Sequence, residues 1–334
     1  MARGSLNRPI DGVEAVFADL DGVVYAGPDA IPGAIDALNR LAELMPLGYL
    51  TNNASRTDEQ VAAHLRDLGL QTQARQVVTS PQAAVHLLAE RVPPGATVLV
   101  VGGDGIRQEL QRAGYQLVSS ADEGPAAVVQ GFSPHLGWSD LAEAAFALRG
   151  TDTVWIATNM DWTIPVARGI APGNGTLVSA VHTAAGRMPD AVAGKPERGL
   201  FDLARQRFGV SRALMVGDRL DTDIAGANRA GLVSAQVLTG IDQAPQLLAA
   251  SAEQRPRFIL ANLGGLFEPY PEPVHGRHGW QVGMARVRVD GAQVRIDREG
   301  DNALDLLRAA CAAIWASERS IHSLSVPQLL LQTS

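Results

Sequence analysis

The stretch EAVFADLDGVVY, residues 14 to 25, ends an apolar run with two carboxylates, Asp19 and Asp21, two positions apart. Like charges held this close repel, so they either share a cation or do chemistry. A hard divalent ion would relieve the repulsion, and Mg²⁺ suits a site of few carboxylates completed by a substrate phosphate. A carboxylate facing a phosphoryl group can also attack it, giving an aspartyl phosphate that water later hydrolyses. A carboxyl group two residues on can protonate the leaving alkoxide and then take a proton from the attacking water. DLDG does not fit an EF-hand, which needs Gly at the sixth loop position and Glu at the twelfth. Here Gly22 is fourth and Ala30 twelfth.

Three more polar clusters follow. Thr51-Asn52-Asn53 ends the run PLGYLT, and Asp218, Asp221 and Asp223 lie in GDRLDTD after ALMV, where acidic oxygens could complete a metal site. Lys195 precedes Pro196, which is read as opening the helix PERGLFDLARQRF. That places the ammonium at a positive helix end, a natural anion site. Taken singly, TNN is as well explained as a turn capping a helix, and Lys195 as a surface lysine. Taken together they sit where ligands gather in a doubly wound sheet, beyond the carboxyl ends of the strands.

The elements that must position them read as an α/β chain. Residues 14 to 20 form a buried strand. AIPGAIDALNRLAEL has helical spacing at Ile35, Leu38, Leu41 and Leu44, with Pro32 as its start signal. A short strand ending at Thr51 and the helix TDEQVAAHLRDLG, closed by Gly69, come next. The same alternation recurs through ATVLVVGGDGIRQELQRAG, AAVVQGF, DTVWIATNMD and ALMVGDRLDTDIAGANRAG, which implies a parallel sheet. Gly103-x-Gly105 imitates a dinucleotide fingerprint, but Gln108 stands where a third Gly is needed, so it reads as a tight strand-to-helix turn. EPYPEPVHGRHG, from Glu268, reads as a linker, with His275 and His278 in an exposed loop. A hairpin turns at Asp290-Gly291. A closing amphipathic helix follows, capped by Asp301, with a packing stripe at Leu304, Leu307, Cys311 and Ile314.

At 334 residues the chain has room for two domains, and 46% apolar against 19% charged residues places it among ordinary globular proteins. A net charge of −7 with no basic run argues against nucleic acid or an anionic membrane as partner. Cys311 stands alone, which suits a reducing interior. MARGSLNRPIDG lacks the apolar core of a signal peptide, and no run is long enough to insert into a membrane, so the expected location is the cytoplasm.

DLDGVVY, TNN, GKP and VGDRLDTD match, in order, the four motifs of the haloacid dehalogenase superfamily, over residues 14 to about 240. The chain resembles its phosphatases, and AIPGA with IATNMD…PGNGTLVSAV is similar to the branch of p-nitrophenyl and phosphoglycolate phosphatases. The resemblance implies a Rossmann-like core; the connection between TNN and Lys195 is too long for a loop, so an inserted α/β cap is expected at 83–190 on a core of 10–82 and 191–267. A hairpin and one helix cannot bury their apolar face alone, so the extension at 272–334 is expected to pack on the core or mediate homo-oligomers. The resemblance makes Asp19 the nucleophile and a magnesium ligand, and Asp21 the acid/base with its carbonyl on the metal. Thr51 and the Asn52 and Asn53 backbone would hold phosphate oxygens, and Lys195 would steady nucleophile and phosphate. Asp218 would be the third metal ligand, with Asp223 acting through water and Asp221 exposed. The implied substrate is a small-molecule phosphate ester, glycerol 3-phosphate first, with phosphoglycolate and other small sugar or cofactor phosphates as alternatives. Cap residues Asn159, Asp161 and Ile164 are the candidates for selectivity. A phosphomutase is disfavoured, since about 29 residues separate Asp21 from Thr51, too few for its usual cap. A binding protein without turnover is the alternative of another class.

Overall fold

The computed structural model describes residues 7–166 and 168–332. It has the expected α/β character and divides into two compact units, residues 1–47 with 211–334, and residues 48–210.

In the first unit, Ala15–Ala18, Ala213–Gly217, Val233–Val237 and Phe258–Leu260 run parallel in that spatial order. The residues of Ala15–Ala18 are all buried, as are those of Ala213–Gly217, which is why both read as unbroken apolar runs. The helix Ala34–Leu44 buries Ala34, Ala37, Leu38 and Leu41. Leu44, expected on the same stripe, is 55% exposed, because each three-residue step falls about 60° short of a full turn and the stripe drifts off the buried face.

In the second unit, Leu47–Thr51 pairs with Val77–Thr79, and the helix Asp58–Asp67 starts from a capping box of Thr57 and Gln60. A separate five-stranded sheet follows, all parallel, in the order Ala191–Val192, Val154–Ala157, Ala127–Gln130, Thr97–Val101, Gln116–Val118. Gly103 does lie in a strand-to-helix turn, and Gly105 is in the first turn of the helix Asp104–Arg112. A Cβ on Gly105 would collide with the carbonyls of Arg56 and Ala54, so close backbone approach accounts for it.

The C-terminal part is larger than a hairpin and helix. Val274–Gly276, Gly279–Val282, Ala285–Asp290 and Gln293–Arg298 make a four-stranded antiparallel sheet, followed by the helix Ala303–Ala316. The expected linker is thus corrected: its second half is a strand pair with His275 opposite Trp280. The helix cap is also corrected, from Asp301 to Asn302, whose Oδ1 accepts from the Asp305 N–H at 2.7 Å. Leu307, Cys311 and Ile314 join Val282, Val287, Leu247, Leu248 and Ile259 in one buried cluster. The Arg308 guanidinium donates twice to the Ile259 carbonyl, at 2.7 and 3.0 Å, and Trp315 Nε1 donates to the Leu247 carbonyl at 3.0 Å. Because this helix shares its core with the parallel strands, Ile314→Ala is expected to destabilise the protein by about 2–4 kcal/mol, read as a lower urea midpoint. No helix among the described residues is long and apolar enough to cross a membrane.

Candidate active site

Two parallel strands set up an acidic site in the first unit. Asp19 follows Ala15–Ala18 directly, and its N–H continues the ladder to the Val216 carbonyl at 2.9 Å. The chain then turns back through Gly22, whose φ of +80° is left-handed. A Cβ at Gly22 would strike the Asp218 carboxylate, so the sequence DLDG needs its glycine for space as well as for conformation. Asp21 is exposed.

Asp218 directly follows the neighbouring strand Ala213–Gly217 and is 1% exposed, as is Asp223 further along the chain. Among the described residues, the acidic, His and Cys side chains that come together as ion ligands are Asp19, Asp218 and Asp223, with carboxylate oxygens within 4.8 Å of one another. Three carboxylates this close repel one another, and a bound cation would offset that repulsion. An all-oxygen donor set of this kind fits Mg²⁺. Asp223 therefore stands in the carboxylate cluster itself. Asp221 points outward and pairs with Arg219 through bonds of 2.8 and 3.0 Å.

Sequence reasoning missed the loop after Val233–Val237 that braces this cluster. The Ile241 N–H donates to Asp218 Oδ2 at 2.8 Å, and the Thr239 hydroxyl donates to the Gly22 carbonyl at 2.7 Å. Buried Gln236 donates to the Asp218 carbonyl at 2.7 Å. Gly240 lies where any Cβ would meet Asp218. Asp242 accepts the Leu220 N–H at 2.7 Å, and burial, with Asp221 and Asp223 nearby, raises its carboxyl above the usual range. No local pattern in LTGIDQ sets this loop apart in the sequence.

The second unit carries the residues assigned to phosphate. Thr51 is buried at the end of Leu47–Thr51, with its hydroxyl accepting the Asn53 N–H at 3.1 Å. The Asn53 side chain turns away to accept from the N–H and hydroxyl of Ser55, at 2.9 and 2.8 Å. Lys195 is 3% exposed, and its Nζ donates to the Leu50 carbonyl at 3.3 Å. The helix after it is Arg198–Phe208 with Glu197 as its cap residue, so Pro196 does not open it, and Lys195 lies three residues before it. The Lys195 ammonium is thus buried beside a carbonyl near the strand's end and does not sit at the helix end. Asn159 is buried and donates to the Asn52 carbonyl at 2.8 Å, where the Ser80 hydroxyl also donates at 2.8 Å. Asn159 is thus spent on the loop that follows Thr51.

Comparison with known proteins agrees with these motifs. The model described as haloacid dehalogenase-like hydrolase matches residues 16–116, and the related HAD-hydrolase-like model matches residues 192–266. A GCN5-related N-acetyltransferase-like model matches residues 278–326. The chain is 41% identical over 316 residues to the D-glycerol 3-phosphate phosphatase of Mycobacterium tuberculosis, covering 90% of this chain and 86% of that one. It is 36% identical to human chronophin, over 80% of this chain and 96% of chronophin. Among solved structures, a glycerol phosphate phosphatase from Mycobacterium tuberculosis in complex with magnesium superposes with a TM-score of 0.86 at 38% identity, covering 96% of this chain and 95% of that one. A 4-nitrophenylphosphatase from Thermotoga maritima gives 0.72 at 32% identity, over 78% and 98% of the two chains. With its motif carboxylates gathered at the strand ends and these relatives along nearly its whole length, the chain belongs to the haloacid dehalogenase-like hydrolase family, among its phosphatases.

Proposed function

We propose that the protein is a Mg²⁺-dependent phosphomonoesterase acting on small organic phosphates, with glycerol 3-phosphate as preferred substrate. The observation that carries this reading is the cluster of Asp19, Asp218 and Asp223, with Asp21 two residues beyond Asp19. Asp19, Asp218 and the Asp21 carbonyl would hold Mg²⁺, with Asp223 in the same cluster; when bound, the ion offsets charge on the phosphate and on the carboxylates.

An Asp19 carboxylate oxygen attacks phosphorus, forming the aspartyl phosphate as the ester P–O bond breaks. The Asp21 carboxyl gives its proton to the departing alkoxide. Asp21, now a carboxylate, takes a proton from water, whose oxygen attacks phosphorus and displaces Asp19, releasing inorganic phosphate. The Thr51 hydroxyl, the Asn52 and Asn53 backbone and the Lys195 ammonium are assigned to the phosphate oxygens.

Residues 83–190 are read as a cap on a core of 10–82 and 191–267. In support, residues 97 to 192 carry a sheet of their own. Such a cap would limit water during transfer and confine the alcohol portion of the ester, which favours compact substrates. The reading extends to the cytoplasm, where small phosphate esters are dissolved and a lone buried Cys311 stays reduced.

The test is a kcat/KM comparison across polyol, sugar, two- and three-carbon acid, nucleotide and pyridoxal phosphates. Glycerol 3-phosphate should lead. A hundredfold preference for a nucleotide or for pyridoxal phosphate would overturn the substrate, and no hydrolysis of any ester would leave a phosphometabolite-binding protein.

A further inference from the structure

Asn52 is the middle residue of the TNN loop, and the roles assigned above use only its backbone. Its carboxamide is nonetheless fully engaged. Oδ1 accepts the Lys195 N–H at 2.8 Å, and Nδ2 donates to the Lys195 carbonyl at 3.0 Å. Nδ2 also reaches the Asp161 carboxylate, at 3.2 and 3.3 Å from its two oxygens. An amide nitrogen has two protons to give, and here each has an acceptor. The neighbouring residue is built around this clasp, because a Cβ on Gly194 would collide with Asn52 Oδ1 and with the Thr158 carbonyl. The backbone carbonyl of Asn52 is itself held by Ser80 and Asn159.

From this geometry we infer that Asn52 is a positioning residue, which fixes Lys195 through its backbone and ties that fixation to the Met160–Asp161 loop. The inference rests on the phosphatase reading, in which Lys195 steadies the reacting phosphate. Lysine has a long, flexible side chain, so a buried ammonium is placed well only if its Cα is placed well. Asn is the side chain that can do this here. Asp accepts from the Lys195 N–H but cannot donate to the Lys195 carbonyl, and it sets a second carboxylate against Asp161. Gln places the amide one methylene too far. Asp161, put forward from the sequence as a selectivity residue, acts instead on Asn52: its carboxylate orients the carboxamide so that donor and acceptor face Lys195 correctly.

The experiment measures kcat and KM for p-nitrophenyl phosphate and glycerol 3-phosphate in Asn52→Ala, Asp161→Ala, Asp161→Asn and Lys195→Met, with the melting temperature of each. Asn52→Ala should lower kcat by ~10²-fold, the scale of a small misplacement of a reacting group, with KM moving less than about threefold. In a Lys195→Met background the same change should cost less than about threefold, since residues acting through one another are not additive. Asp161→Asn keeps an acceptor oxygen and should stay within about twofold of the parent, whereas Asp161→Ala should fall ~10-fold. Additive losses in the Asn52/Lys195 pair, an effect confined to KM, or equal rates for Asp161→Asn and Asp161→Ala would each overturn the inference. Asp161 is only partly buried, so its pair of variants decides the matter even if Asn52→Ala fails to fold. A parent protein that hydrolyses no phosphate ester would instead refute the phosphatase reading, a result visible before any variant is made.

Discussion

Asp19→Asn is expected to lower steady-state hydrolysis of phosphate esters by ~10⁴-fold or more, the loss seen when a covalent nucleophile is removed. An amide at this position keeps the size and the strand-end placement of Asp19 but not the electron pair that attacks phosphorus. Asp21→Asn should behave differently. Its loss should be ~10²–10⁴-fold, the scale of general acid–base catalysis, with substrate still bound, because the exposed side chain serves the leaving group rather than the phosphate. The effect should be smallest for p-nitrophenyl phosphate, whose leaving group barely needs a proton, and largest for an alkyl ester such as glycerol 3-phosphate. Asp221→Asn is the control for charge alone. Asp221 lies two residues from Asp223 but faces Arg219 at the surface, so its removal should leave the rate within about threefold. A near-normal rate in Asp19→Asn would end the covalent mechanism.

Much of this was legible in the sequence because the strands that matter are buried on both faces. AVFA and ALMVG are unbroken apolar runs, and a carboxylate immediately after such a run can only stand at the strand's end. The bracing of those carboxylates was not legible. Ile241 and Thr239 act through a backbone N–H and a hydroxyl from a loop more than two hundred residues beyond Gly22, and nothing in LTGIDQ marks that contact. Gln236 is a polar residue buried in a strand, and its place is explained by the Asp218 and Asp242 carbonyls to which its amide donates. The start of the helix at Arg198 was misread for a local reason: Pro196 is a good first helical residue in general, but Glu197 after it is still extended, with ψ of 153°. The stretch VHGRHGW was read as linker from its Gly and His content. It pairs as strands because Trp280 and Val282 face a layer that the helix Ala303–Ala316 provides later in the chain. Propensity cannot register a partner that has not yet appeared.

Removing the divalent ion is expected to silence the enzyme and to soften its fold at the same time. Asp218 and Asp223 are 1% exposed, and with Asp19 they bring three carboxylates within 4.8 Å. Charges packed this close repel, and a bound divalent ion offsets that repulsion. Chelation with EDTA should bring phosphatase activity to background, and added Mg²⁺ should restore it. Mg²⁺ binds the folded state alone, so at a hundred times its dissociation constant it should add about 2.7 kcal/mol of stability, read as a rise in melting temperature. Asp218→Asn should lose both responses together, since the same carboxylate serves both. Ca²⁺ separates them. It takes about 6–8 oxygen ligands at longer distances than the near-octahedral shell of Mg²⁺. The cluster can bind it, and the melting temperature should rise. The phosphate would then no longer be held in line with Asp19, so turnover should stay at background and fall when Ca²⁺ competes with Mg²⁺. Full activity with Ca²⁺, or a melting temperature indifferent to both ions, would show that these carboxylates do not hold the metal.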